Sequence, residues 1–368
     1  MPVGCFSQSS LSCNAIKEKN DQENSDLHKT IPIDEAVGMV LPHDITEINK
    51  VDGFKGRAFR KGHIIQAEDI PRLKNLGKEN VYVLELSQDD IHENEAAELL
   101  AAALAGPGVS VSGEPVEGKL NIVAATTGLL RVDTEALYQF NMLGEVMCAT
   151  LHSNTLVEKG LQVGATRLIP LVGNRELVDN ACEIAKGVGG IISVSKLPSL
   201  KAGLVITGNE VFHGRIKDAF EPVLREKLTA LGSEVIEVRF APDDIQTIAN
   251  EIKTCLEAGA EIIITSGGMS VDPDDVTRQG IKEAGATDIV YGTPVLPGAM
   301  FLVGRIGKIP VLGLPACGMF HRTTVFDLIL PRVMLGEKIG REELARMGHG
   351  GLCRQCKTCR YPICDFGR

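Results

Sequence analysis

No tryptophan occurs in the 368 residues, and aromatic side chains make up only 4% of them. That scarcity leaves the fold class open, because 44% hydrophobic residues suffice to build buried cores. Long apolar runs are missing too. None approaches the roughly 18 residues that a membrane span needs, so no membrane partner is expected. The first residues lack a basic stretch followed by an apolar one, and Pro2 stands where myristoylation requires glycine. These absences point to a cytoplasmic protein. Excess positive charge is also lacking: the formal net charge is −10, which argues against a nucleic-acid groove. Phosphate-bearing small molecules stay open, since a nest of backbone N–H groups binds anions without net positive charge. Finally, no G-x-G-x-x-G follows a strand-like segment, which weakens a dinucleotide-enzyme reading.

What is present divides unevenly, and length alone implies two or three domains. Residues 1–29 are polar and aperiodic, the composition of a disordered leader. Residues 30–90 read as a small β-rich domain. Their signals are a strand, a Gly- and Arg/Lys-rich turn and a second strand across VDGFKGRAFRKGHII, a short helix over Asp69–Leu76 and a strand over Val81–Leu86. Residues 91–197 open with the helical ENEAAELLAAALAG and continue through strand-like pieces with helices at Thr134–Asn141 and Arg175–Ala185. They read as a mixed α+β middle domain.

Between residues 198 and 340 the pattern becomes regular. Strands over Leu204–Thr207, Glu234–Phe240 and Glu261–Thr265 alternate with helices over Ile216–Leu231 and over Asp243–Ala258, the latter with an aspartate cap. Alternation continues to Leu314, and a helix over Met319–Leu335 ends it. Such a pattern means crossover connections and a mostly parallel sheet covered on both faces. Ligands of these sheets bind beyond the carboxyl ends of the strands. Here those ends are Thr207-Gly208-Asn209-Glu210, Thr265-Ser266-Gly267-Gly268, Pro297-Gly298 and Leu314-Pro315-Ala316. The second carries no bulky side chain, so backbone N–H groups can converge on an anion where a Cβ would obstruct them. Asp272, Asp274 and Asp275 follow, with Pro273 placed to open a helix over Asp274–Glu283. A carboxylate beside a bound phosphate is a ready ligand for Mg²⁺, although a lone segment of this kind is equally a tight turn followed by helix caps.

Taken together, the four loops resemble the molybdopterin-binding domain shared by molybdenum-cofactor biosynthesis proteins, including the molybdopterin molybdenumtransferases related to the gephyrin E domain. TGNE at 207–210 matches the family's T-G-D/N-E, and SGGMSVDPDD at 266–275 matches S-G-G-x-S-x-x-x-x-D. PG at 297–298 and GLP at 313–315 follow in order. The resemblance implies an α/β fold, a three-layer α/β/α domain with a mostly parallel sheet, preceded by the small β-rich and α+β domains. It implies that Gly267, Gly268 and Ser270 meet the terminal phosphate of the pterin dithiolene, with Thr207, Gly208, Asn209, Ser266, Pro297, Gly298, Pro315 and Ala316 completing the cofactor-binding set. Glu210 and Asp275 would hold molybdate or Mg²⁺, and Glu261 stands where the family usually has aspartate. The implied reaction hydrolyses adenylylated molybdopterin and inserts molybdate at the dithiolene. The implied partners are the phosphorylated pterin, a molybdenum hydroxylase or another cofactor-biosynthesis protein, and a second copy in a homodimer. Two departures favour an alternative, a non-catalytic carrier, sensor or maturation factor. The family's K-P-G-K-P is Leu296-Pro297-Gly298-Ala299-Met300, which removes two cations, and its L-P-G-N-P is Leu314-Pro315-Ala316-Cys317-Gly318.

Residues 341–368 carry a second signal. Four of the ten cysteines, Cys353, Cys356, Cys359 and Cys364, crowd the last sixteen residues with the spacing C-x2-C-x2-C-x4-C. Thiolates so close repel unless a cation neutralises them, so a metal-binding tail is expected. Iron–sulfur ligation fits the paired two-residue gaps and the nearby Pro362, and tetrahedral Zn²⁺ fits four thiolates as well. Both alternatives remain open at this stage.

Overall fold

Ile262 and Ile264 belong to one buried cluster and Ile263 to another, because successive residues of a strand point to opposite faces of a sheet. This computed structural model describes residues 29–49, 54–83, 87–270, 272–273 and 275–367. The expected leader up to residue 28, Asp52-Gly53, the strand end at Leu86, and Asp274 lie outside them. In it, Ile262–Ser266 is the third strand of a six-stranded sheet. The spatial order is Glu234–Ala241, Lys201–Thr207, Ile262–Ser266, Ile309–Leu314, Leu302–Ile306, Thr287–Tyr291.

The first four strands are mutually parallel. Their cores are nearly all apolar, as burial on both faces selects. Helices Phe220–Ala230 and Val325–Met334 cover one face, packing Phe220, Leu224 and Ile329 against Leu204, Ile264 and Leu312. Helices Ile245–Glu257 and Thr277–Glu283 cover the other, packing Ile248, Ile252 and Ile281 against Val205, Ile263 and Val311. The domain is therefore a three-layer α/β/α sandwich.

Several boundaries differ from expectation for local reasons. Strand–helix alternation stops after Thr287–Tyr291: Leu302–Ile306 runs antiparallel to both neighbours, and it reaches Ile309–Leu314 through Gly307-Lys308, with Gly307 at φ +59°. The helix expected from Ile216 begins at Phe220, where the Asp218 carboxylate accepts from Phe220 N at 2.9 Å and from Glu221 N at 2.8 Å. The helix expected from Asp274 begins at Thr277. Before it lies a turn in which Asp275 N donates to Asp272 O and Asp275 Oδ2 accepts from Asp272 N. Asp244 rather than Asp243 caps Ile245–Glu257. The helix expected from Met319 starts at Val325, where Thr324 and Asp327 form a capping box.

Two further apolar clusters lie earlier in the chain. One gathers Ile31 to Val83 around antiparallel pairs Lys29–Pro32 with Asn80–Val83 and Ile45–Asn49 with Phe54–Phe59. The other gathers Ile91 to Val194 around a four-stranded and a three-stranded antiparallel sheet with helices Glu93–Leu104, Thr134–Asn141 and Arg175–Gly187. The tail is not a free appendage: Phe366 is buried in the core of the parallel sheet, and Cys353 and Cys364 pack against that core. Among the described residues no helix is long and apolar enough to cross a membrane.

Candidate functional site

Parallel strands bring their carboxyl ends to one edge, and here that edge is tied together by buried hydroxyls. Thr207 Oγ1 donates to Ser266 O at 3.0 Å and lies 2.8 Å from Thr277 Oγ1. One strand end, the neighbouring loop and the following helix are thus locked as a unit. Gly267 and Gly268 then turn the backbone through the left-handed region, at φ +87° and +54°. A Cβ on Gly267 would collide with Thr207 O, and one on Gly268 with Thr277 Oγ1. Only glycine fits both the conformation and the space. Behind this loop Met269 is buried, Tyr291 Oη donates to Met269 O at 2.7 Å, and the Arg278 guanidinium stacks 4.2 Å over the Tyr291 ring. Ser266 Oγ is buried and has no hydrogen-bond partner among the described residues.

The four expected loops line one cleft of about 730 Å³. Of the residues expected there, Thr207, Gly208, Glu210, Gly267, Gly268, Ser270, Asp275, Pro297, Gly298, Pro315 and Ala316 all line it. Asn209 and Ser266 do not line it. Asn209 N donates to the Asp243 carboxylate at 2.9 Å, and Asp243 N returns a bond to Asn209 Oδ1 at 3.3 Å, which fixes the turn that carries Glu210. Glu261 is a correction. It precedes the strand Ile262–Ser266 and accepts from Lys201 N at 2.9 Å, so a strand of about 17 Å separates it from the cleft. It cannot act there.

Charge in the cleft is lopsided. Among the described residues that line it, Glu210, Asp218, Asp243, Asp272 and Asp275 are accompanied only by Lys217 and His321 as basic side chains. Lys217, His321 and the supporting pair Arg278 and Tyr291 were not anticipated from the sequence; Arg278 and Tyr291 brace the loop through Ser270 O and Met269 O, 8 and 22 residues away. Cys317 also lines the cleft, and burial pushes its thiol above the ordinary value, which disfavours it as a thiolate ligand.

The tail cysteines line a second cavity, of about 680 Å³, together with Phe320 to Thr323. All eight described cysteines are free thiols. As the side chains stand, no three His, Cys, Asp or Glu among the described residues converge closely enough to hold a metal ion. The expected metal sites, at the tail and at Glu210 with Asp275, are therefore not assembled in this conformation.

Residues 203–334 match the family model of a probable molybdopterin binding domain. They are a domain of that family. Residues 30–85 match a second model, described as a domain of unknown function. Sequence relatives of the chain include the CinA-like protein of Mycobacterium avium, 31% identical over 97 residues, which covers 26% of this chain and 22% of the relative. The CinA-like protein of Mycobacterium tuberculosis is 37% identical over 92 residues, 25% of this chain and 21% of the relative. The chain thus spans about a fifth of the length of these curated relatives. Among solved structures it is similar to the molybdopterin biosynthesis enzyme MoaB of Thermus thermophilus, at 21% identity and TM-score 0.33, over 38% of this chain and 98% of that one. It is also similar to the molybdopterin biosynthesis MoeA protein of Pyrococcus horikoshii, at 16% identity and TM-score 0.32, over 84% of this chain and 74% of that one. In this molybdopterin-binding domain the loop of Gly298, at φ +124°, closes on the helix Val325–Met334: a Cβ there would lie 2.5 Å from Val325 Cγ1. The apolar Leu296 and Ala299 on either side leave Lys217 and His321 to supply positive charge.

Proposed function

We propose that this edge of the sheet binds a phosphorylated pterin dithiolene, molybdopterin or its adenylylated form, as part of molybdenum-cofactor biosynthesis in the cytoplasm. The observation that carries the reading is the convergence of four small-residue loops on one cleft, with Gly267 and Gly268 in left-handed backbone held tightly against Thr207 and Thr277. Gly267, Gly268 and Ser270 receive the terminal phosphate. Thr207 and Thr277 hold that loop, and Asp243 holds the Glu210 turn.

Five carboxylates against one lysine and one histidine suit a divalent cation between protein and phosphate. Mg²⁺ held by Glu210 and Asp275 would offset phosphate charge and polarise the P–O bond being cleaved. The finer reading is molybdate insertion, with the same two carboxylates orienting molybdate. A second reading, a carrier, sensor or maturation factor for a molybdenum hydroxylase, is favoured by Leu296, Ala299 and Ala316. The proposal includes a homodimer, and an iron–sulfur or zinc centre at the tail.

Release of AMP from adenylylated molybdopterin, dependent on both molybdate and Mg²⁺, separates the readings. If insertion occurs, Asp275→Ala should slow release by about 100-fold or more while pterin affinity changes little. Pterin binding with no release from the intact protein leaves the carrier. No pterin binding removes both.

A further inference from the structure

Residues 350–367 form a loop tied at its neck. Gly367 N donates to Gly350 O at 2.9 Å, and the first limb is stitched to the cleft wall by Leu296 N to Gly351 O and Cys353 N to Leu296 O, each 2.8 Å. Phe366 anchors the second limb in the sheet's core. Between these anchors there is no helix or strand, and Ile363 N donates to Arg360 O within the span. Compact loops of this length are ordinarily packed by their own side chains. Here Ile363 is 84% exposed and Leu352 72%, while Cys353, Cys356, Cys359 and Cys364 line one open cavity, the first and last half-buried and the middle two exposed.

Local geometry favours thiolate ligation. Gln355 takes φ +52° and its N–H donates to Cys353 Sγ at 3.4 Å, so the turn that brings Cys356 round also supplies a donor to the preceding sulfur. Cys359 Sγ lies 3.3 Å from Thr323 Oγ1. Hydrogen bonds of this kind orient ligating sulfurs and stabilise their charge. The cavity also shares a wall with the pterin cleft: His321, Leu352 and Gln355 line both.

We propose that the four thiols swing inward onto one thiolate-bound metal centre, and that this centre fixes the wall of the neighbouring cleft through the Leu296–Cys353 backbone pair. Each ligating thiol gives up its proton to solvent as the metal binds. A single Zn²⁺ and an iron–sulfur cluster share this chemistry and call for separate experimental arms. That the wall matters to a pterin rests on the reading above; the centre and its effect on the wall do not.

The full chain, prepared anaerobically, is loaded with Zn²⁺ alone or with iron and sulfide, desalted, and read by elemental analysis, absorption and amide hydrogen exchange. One centre per chain is expected in one arm. Exchange at the Leu296 and Cys353 amides should slow about tenfold on loading and recover on chelation. Cys356→Ser with Cys359→Ser should lose both effects; chelation of the unmodified chain gives the same readout should that variant misfold. No retained metal in either arm overturns the proposal, as does a loaded chain whose two amides exchange unchanged. Absent pterin binding in a chain that passes these tests would instead remove the function proposed for the cleft.

Discussion

A side chain added at Gly268 must occupy the space of Thr277 Oγ1 while the backbone holds φ +54°. The left-handed conformation alone costs an L-residue roughly 1–2 kcal/mol, and displacing a buried hydroxyl adds to it. Gly268→Ala should therefore destabilise the domain by about 2 kcal/mol or more in urea denaturation. Thr277→Val removes one buried hydrogen bond and should cost about 1 kcal/mol, with Thr277→Ser close to the parent. An unchanged midpoint for Gly268→Ala would show that the loop is looser than its contacts indicate. Positions of this kind are legible in the sequence because only glycine satisfies them, so backbone geometry is written as residue identity. Glu261 shows the limit. It lies close to the glycine turn in sequence, but an extended strand carries it to the far edge of the sheet. Arg278 and Tyr291 show the converse: they brace the loop through contacts 8 and 22 residues distant in sequence, and no local pattern announces them.

Elements with strong periodicity are the ones the sequence specifies best. The parallel strands and the helices beside them emerge from apolar runs and amphipathic spacing, and helix starts shift where a cap or a turn intervenes, as at Asp218, Thr324 and the Asp272–Asp275 turn. Periodicity alone reads the last two strands, wrongly, as further crossovers. Between Tyr291 and Leu302 no helix forms, and the Gly307-Lys308 pair between two apolar runs is itself a hairpin signal. That turn separates fold from site. Gly307 sits at φ +59° with nothing within 4 Å of a would-be Cβ, so Gly307→Ala carries only conformational strain. About 1 kcal/mol of stability should be lost, with pterin affinity unaltered. A loss of affinity in that variant would mean that the hairpin communicates with the cleft.

Across the whole molecule the separate apolar cores meet at two carboxylates whose titrations have opposite signs. Arg131, from the middle region, pairs with Glu337 at 3.0 Å, and Arg332 pairs with the same carboxylate at 2.7 Å. Burial acts to raise the Glu337 pKa, but hydrogen bonds from Arg332 and Arg131 outweigh it and the net shift is downward. Its stabilisation is present above the ordinary glutamate value and is lost as pH falls through the lowered one. The group is partly exposed, so the pair is worth at most about 1 kcal/mol. Glu93, 7% exposed and 3.5 Å from Arg167, lies where Gly62 and Gly118 leave room for it. Burial raises its pKa despite Arg167 and Lys61. Its contribution is full below the ordinary glutamate value and is lost as pH rises through the raised one. Measured against the parent between pH 4 and pH 8, Glu337→Gln should therefore lose ground as pH rises, whereas Glu93→Gln should gain it. Slopes of the same sign in the two variants would show that the cores are not joined through these side chains as their geometry requires.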